Sequence, residues 1–232
     1  MRRGRAFPGR SPVVPVTGRG RQCVRAHSAT SRASLRAVLE ADWRQDLVAG
    51  LRLRLGVART PVLVGVDGWS GSGKTSLALW LGPVLGGGVF SLEDLVLGWH
   101  GLQASVELAA SCLADLAAGR PTVHPTWDWG RDCPGPCRHV PAPRSVVVVE
   151  GCGAGAARLR PWLDALVWLE VPARTRRQRL EARSDWDGYG PWFGAWEAQE
   201  AQLRADDDPR LHSDAVVVER PGGRVVVRWR TR

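Results

Sequence analysis

The stretch Val62-Leu63-Val64-Gly65-Val66-Asp67-Gly68-Trp69-Ser70-Gly71-Ser72-Gly73-Lys74-Thr75 decides how the rest of this chain is read. Its first six residues are a short apolar run closed by an acid, which suits a strand buried on both faces of a parallel sheet. The next eight fit G-x-x-x-x-G-K-[ST] without a mismatch. A backbone that turns its N–H groups around a polyphosphate needs residues that tolerate positive φ and bring no Cβ towards oxygen. Gly68, Gly71 and Gly73 meet that need. Residues 74–81 read as a helix whose positive dipole end points at the same anion. The expected ligands of a nucleoside triphosphate are therefore Gly68, Ser70, Gly71, Ser72, Gly73, Lys74, Thr75 and Ser76. Lys74 would reach the β- and γ-phosphates, and the Thr75 hydroxyl would hold Mg²⁺.

Composition sharpens this. Of 32 basic residues all but Lys74 are arginine, so the single compact ammonium of the chain stands at the end of the glycine loop, where a planar guanidinium is no substitute. The chain has 232 residues, with 44% hydrophobic and 24% charged, which is one globular α/β domain of ordinary size. No run approaches the roughly 18 apolar residues that a membrane span requires. Five cysteines without a secretory signal point to a reducing cytoplasm rather than a disulfide scaffold. The net charge of +9 is a property of the N-terminus: residues 1–36 hold nine arginines and no acid, leaving 23 basic residues against 23 acidic ones in the remainder. Residues 1–33 are therefore expected to be a solvated, flexible basic tail, able at most to hold nucleic acid or a membrane surface weakly, and a nucleic-acid partner is not expected.

Working outward from the loop, residues 34–232 read as one domain. Leu35, Val38, Leu39, Trp43, Leu47, Leu51 and Leu55 recur at helical spacing, giving a leading helix over 34–56 with Ser34 as its cap. A second strand is expected at 88–92, ending in Glu93-Asp94, then a helix at 101–118. Residues 121–143 read as a long surface loop. Val146-Val147-Val148-Val149 is the clearest strand and stops at Glu150-Gly151. A short helix near 156–164, a strand at 166–171, helices at 173–182 and 191–205, and a closing hairpin of 215–219 with 225–229 complete the chain. The alternation of strands and helices predicts an α/β fold of three layers around a mostly parallel central sheet.

Several nucleotide-binding classes are excluded. A guanine-reading Asn-Lys-x-Asp motif needs a second lysine, and the signature of transporter ATPases has no counterpart. A compact phosphotransferase remains, with one pocket for ATP and another for a small-molecule acceptor. The chain resembles the uridine kinase and phosphoribulokinase group of P-loop kinases from about residue 61 to 218. Four blocks carry the resemblance: the phosphate loop, Glu93-Asp94-Leu95, Pro125-Thr126-Trp127-Asp128-Trp129, and the strand ending Glu150-Gly151 followed by Arg174-Thr175-Arg176-Arg177-Gln178-Arg179.

The resemblance implies a P-loop NTPase architecture with a helical lid at about 173–205. It implies transfer of the γ-phosphoryl of ATP to a hydroxyl of a small molecule, nucleoside-like by analogy. Glu93, aligned with the family's acid, or Asp94 as the runner-up would orient or deprotonate that hydroxyl. Glu150, at the same sheet edge, would join Thr75 at Mg²⁺. Arg176 and Arg179, at i and i+3, would close over the transferred group, with Arg183 one turn further. Trp127 and Asp128 would receive the acceptor. The family's tyrosine is replaced by Trp127, and its Asp-His-Pro-x-x-x-Asp stretch by Gly98-Trp99-His100-Gly101. An acceptor that is a vitamin or sugar, and an ATP-binding regulatory or assembly protein with slow hydrolysis, are the other readings. Cys133, Cys137, His139 and His124 are four candidate metal ligands whose spacing is looser than zinc sites favour. Cys152 reads as a packing residue beside the active edge.

Overall fold

A computed structural model describes residues 30–56 and 60–231, with side chains from Trp43 onward apart from Asp206. The leading helix α1 spans Thr30–Leu55, so Ser34 lies inside it and is not its cap. Residues 1–29 of the expected tail fall outside the described residues. The order continues β1 (Val62–Gly68), α2 (Lys74–Val84), β2 (Gly88–Ser91), α3 (Leu102–Ala117), β3 (Thr122–His124), β4 (Trp127–Asp128), β5 (Cys133–Pro134) and β6 (Arg138–Val140). Then come β7 (Val146–Glu150), β8 (Ala165–Glu170), α4 (Ala173–Glu181), α5 (Trp186–Tyr189), α6 (Phe193–Asp206), β9 (Ala215–Glu219) and β10 (Val225–Trp229).

Six strands form one sheet in the order β10-β9-β8-β1-β7-β2, parallel except for the β9–β10 hairpin. The strand alternation feeds two cores. Val64 and Val66 of β1 and Val148 of β7 face α1 and α2 through Leu47, Leu51, Leu77 and Leu81. Leu63, Val147 and Val149 point the other way, onto Val106, Ala109, Leu113 and Leu116 of α3. Both faces are thereby covered, which is why the central strands are continuously apolar.

Two expectations are corrected. The segment 121–143 is not a long irregular loop: β3 pairs with β6 and β4 with β5 in two small antiparallel ribbons. Strands of two or three residues are too short to leave a period in the sequence. The helix expected near 156–164 shrinks to a single 3₁₀ turn, Arg160–Trp162, with Pro161 in its first turn.

The sheet register builds the site. Val66, Glu150 and Ser91 are neighbours across β1, β7 and β2, at the carboxyl ends of the strands. The phosphate loop leaves β1 at that edge, between strands that continue to either side, which is where parallel sheets bind ligands.

Candidate active site

The loop from Gly68 to Lys74 turns as its glycines require. Gly71 has φ +77°, and a Cβ there would lie 2.6 Å from the carbonyl oxygen of Arg176, so the loop passes hard against α4. Gly73, at φ +92°, hands the chain to α2 without a side-chain capping bond. The first-turn amides of α2 therefore have no acceptor within the helix and face outward as donors. Lys74 is 6% exposed, and its Nζ donates to the carbonyls of Gly68 (2.8 Å) and Trp69 (3.2 Å). Burial opposes its charge, but the neighbouring carboxylates of Glu200 and Asp67 outweigh that cost and hold the ammonium above the ordinary lysine value.

Asp67 fixes a second loop against the first. Its Oδ1 accepts from the amides of Gly68 (2.7 Å) and Gly153 (3.2 Å), and its Oδ2 from Gly155 (2.8 Å). Burial pushes its pKa up to about 6, against the pull of those amides and of Lys74. Between these loops lies Glu150, 1% exposed, whose Oε2 accepts from the Thr75 hydroxyl (3.1 Å) and Oε1 from Ser91 (2.6 Å). Burial raises its pKa, and Glu93 nearby adds to the shift. A hydroxyl and a buried carboxylate in contact beside an amide-lined loop form the hard-oxygen donor set that suits Mg²⁺, which is consistent with the pairing of Thr75 and Glu150 expected above.

The loop apex is gripped from outside by the helices expected to form a lid. Arg176 is buried, donates from Nη1 to the Ser70 carbonyl (3.0 Å), and lies 5.2 Å over the Trp69 ring. Arg204 of α6 meets the same ring at 4.8 Å. Arg176 thus bears on the loop's backbone. Arg179 is not brought to the loop at all; both oxygens of Glu219, on β9, accept from its Nη2 at 2.8 Å. From α6, Glu200 Oε1 accepts from the Ser70 amide (2.8 Å), the Ser70 hydroxyl (2.9 Å) and the Cys152 thiol (2.8 Å). Trp196 Nε1 donates to the Ser70 hydroxyl (3.0 Å). Burial, with Glu200 adjacent, drives the Cys152 thiol far above its usual pKa, which makes it an inert packing group.

Beside the loop opens a cleft of about 420 Å³ that reaches from Ser70 to Glu93 and is walled by Trp99, Trp129, Tyr189 and Trp196. Trp99 lies 4.7 Å from Trp129, centroid to centroid, and stacks on Trp192 at 5.5 Å with the planes 8° apart. Glu93, on the 3₁₀ turn Leu92–Leu95, lines this cleft. Its neighbour Asp94 is bonded to Arg138 and lines an adjoining outer depression, whose wall Glu93 and Trp129 share with the cleft. Of the two acids, Glu93, the first choice from the sequence, lines the cleft beside Ser70, and Asp94 does not.

The aromatic motif is also resolved. Asp128 spends Oδ1 on the amides of Gly130 (3.0 Å) and Arg131 (3.1 Å), closing a turn. Trp127 lines the outer depression and donates to Asp132 (3.2 Å). It is Trp129, the last residue of the motif, that enters the cleft. The cleft's arginine is Arg183, held bidentately by Asp185 at 2.8 and 2.6 Å.

Sequence reasoning assigned no role to Trp99, Trp129, Tyr189, Trp196 or Glu200. One signal was available: Trp99 occupies the place where the family's acidic substrate stretch is missing. Among the described residues no three His, Cys, Asp or Glu side chains come together as a metal site. His124 is buried instead, with Nδ1 2.9 Å from the Pro125 carbonyl and its ring edge-on to Phe90. No helix among the described residues is long and apolar enough to cross a membrane.

No family model and no curated protein matches the chain. Among solved structures, a possible uridine kinase from Bacillus stearothermophilus superposes with a TM-score of 0.56 at 22% identity, covering 76% of this chain and 98% of that one. A candidate fructose transport system kinase from Silicibacter sp. TM1040 superposes with a TM-score of 0.51 at 20% identity, covering 72% and 94%. At these identities the likeness is one of fold: this chain has the architecture of P-loop kinases, a mostly parallel sheet between helical layers with the phosphate loop at its centre.

Proposed function

We propose that this protein is a phosphotransferase that moves the γ-phosphoryl of ATP to a hydroxyl of a small, ring-bearing acceptor of nucleoside type. One observation carries the reading: the phosphate loop and the aromatic cleft share Ser70, and Glu93 stands in that cleft. A loop that only bound or slowly hydrolysed ATP has no use for an apolar, tryptophan-walled chamber opening on its apex. The two solved structures of the same fold, one a possible uridine kinase and the other a candidate fructose transport system kinase, agree with small-molecule phosphorylation.

In this reading the amides of residues 71–75 and the Lys74 ammonium hold the triphosphate, taking over charge as the transferred group separates from ADP. Thr75 and Glu150 hold Mg²⁺, which when bound neutralises phosphate charge. Trp99 and Trp129 orient the acceptor by its ring faces. Glu93 accepts the proton of the acceptor hydroxyl while that oxygen bonds to the γ-phosphorus and the bond to the β-phosphate oxygen breaks, so the products are the phosphorylated acceptor and ADP. Arg176 acts at one remove, by fixing the backbone of Ser70.

The test is ADP release with a panel of nucleosides, sugars and vitamins. The expected result is strong stimulation by one acceptor class. Glu93→Gln should abolish the stimulation, and Asp94→Asn should leave it within about threefold, since general-base removal typically costs 10²–10⁴-fold. ADP release indifferent to the whole panel would favour the regulatory reading.

A further inference from the structure

Helix α6 touches both halves of the proposed site through three residues within five positions. Trp196 walls the acceptor cleft and donates its Nε1–H to the Ser70 hydroxyl. Glu200, one turn on and 5% exposed, takes the Ser70 amide and hydroxyl on a single oxygen. Between them, Gln199 reaches the segment that carries the cleft's tryptophan: its Nε2 donates to the Trp99 carbonyl (2.8 Å), and its Oε1 accepts from the Leu102 amide (3.3 Å). With Arg176 on the Ser70 carbonyl, the hydrogen-bonding groups of Ser70 are fixed by helices outside the loop. A buried carboxylate beside a triphosphate site is electrostatically costly unless it is paired. Here the partners are two donors of one loop residue, the Cys152 thiol and the field of Lys74.

We propose that Trp196 and Glu200 are positioning residues that make α6 the joint between the phosphate loop and the acceptor cleft. Nucleotide on the loop then orders the Trp99 wall before any acceptor arrives. This rests on the kinase reading, because it presumes that the loop binds nucleotide. The physical basis is that a ligand which orders Ser70 also orders the groups bonded to it, so the cost of ordering the cleft is met on the first binding event. The effect is thermodynamic coupling between the two sites, carried by hydrogen bonds that can be removed one at a time.

Amide hydrogen exchange on the full chain, with and without Mg·AMP-PNP, tests it without knowledge of the acceptor. In the wild type, nucleotide should slow exchange at residues 68–76 and also at 98–102 and 196–203, by about threefold or more if local opening there is suppressed. Trp196→Phe keeps an aromatic ring and loses the bond to Ser70; Glu200→Leu keeps a side chain of similar size and removes the acceptor of both Ser70 donors. In both variants the slowing should be confined to residues 68–76. A merely structural role predicts faster exchange that is equal with and without nucleotide. Slowing restricted to 68–76 in the wild type, or persisting at 98–102 in both variants, overturns the coupling and leaves the nucleotide site standing. No slowing at 68–76 in the wild type removes the nucleotide site and the coupling with it. Should one variant fail to fold, the wild-type pattern and the other variant still decide.

Discussion

The phosphate loop and the aromatic cleft meet at Ser70 and are built in opposite ways. The loop is eight consecutive residues whose work is done by the backbone, so its specification is a matter of where glycine can go. The cleft draws its walls from the turn after β2, the β4–β5 ribbon, α5 and α6, segments separated by more than 90 residues between Trp99 and Trp196. Holding a polyphosphate needs N–H groups and one ammonium, and a local turn supplies them. Recognising a particular alcohol needs shape, which only the folded chain supplies.

The comparison is broken most severely at Lys74. If the loop is the phosphate cradle, Lys74→Ala should lower ATP turnover by about 10²–10³-fold, the usual cost of one preorganised charge donor. Calorimetry should also show weakened Mg·ATP binding. A variant that binds Mg·ATP as tightly as the parent would leave the loop as a mere connection between strand and helix.

The same contrast explains what was legible in the sequence. The central strands were readable because burial on both faces makes Val62–Asp67 and Val146–Val149 continuously apolar, and the loop because its glycine spacing has a steric reason. Glu93 ranked ahead of Asp94 only through the resemblance, since tertiary structure alone gives Asp94 the Arg138 partner. Arg176 and Arg179 looked equivalent at i and i+3, yet one bears on Ser70 and the other on β9. Trp127 and Asp128 drew attention through a motif whose cleft-facing member is Trp129. In each case the residue type was visible and its partner was not.

Asp67 offers a sharper probe of the loop side. Its pKa is about 6 in the folded protein against 3.8 for a free side chain, so between those values the folded state binds the proton more strongly. Its contribution to stability is then full below about pH 4 and is lost as the pH rises through 6, a span worth at most about 3 kcal/mol. Without nucleotide, the melting temperature should rise as the pH falls from 7 to 5. Asp67→Asn should flatten most of that slope; Glu150, whose pKa burial also raises, accounts for the remainder. An unchanged slope in the variant would mean that Asp67 is not the buried acid it looks to be.

On the cleft side the expected effects are smaller, because recognition is shared among several rings. Trp129→Ala should raise KM for the acceptor about tenfold, the worth of one well-placed aromatic face plus its burial. Trp127→Ala should change it by less than about threefold, the loss of packing in an outer depression. Reversal of that order would move the acceptor from the inner cleft to the depression beside Asp94 and Arg138.

The smallest effect is expected where the two regions are farthest from mattering. Arg179 has its side chain 43% exposed and its guanidinium paired with Glu219, which lies on β9 towards the hairpin edge of the sheet. Exposed pairs of this kind contribute about 0.2–1 kcal/mol. Arg179→Ala should therefore lower the melting temperature by no more than a few degrees and leave kcat and both KM values unchanged. The neighbouring Arg176→Ala should loosen the loop, because it frees the Ser70 carbonyl and removes one of the two cations over Trp69. A large fall in kcat for Arg179→Ala, with stability intact, would mean that α4 swings during turnover to bring Arg179 over the transferred phosphoryl. The arginine helix would then be a moving lid and not the fixed outer wall of the loop.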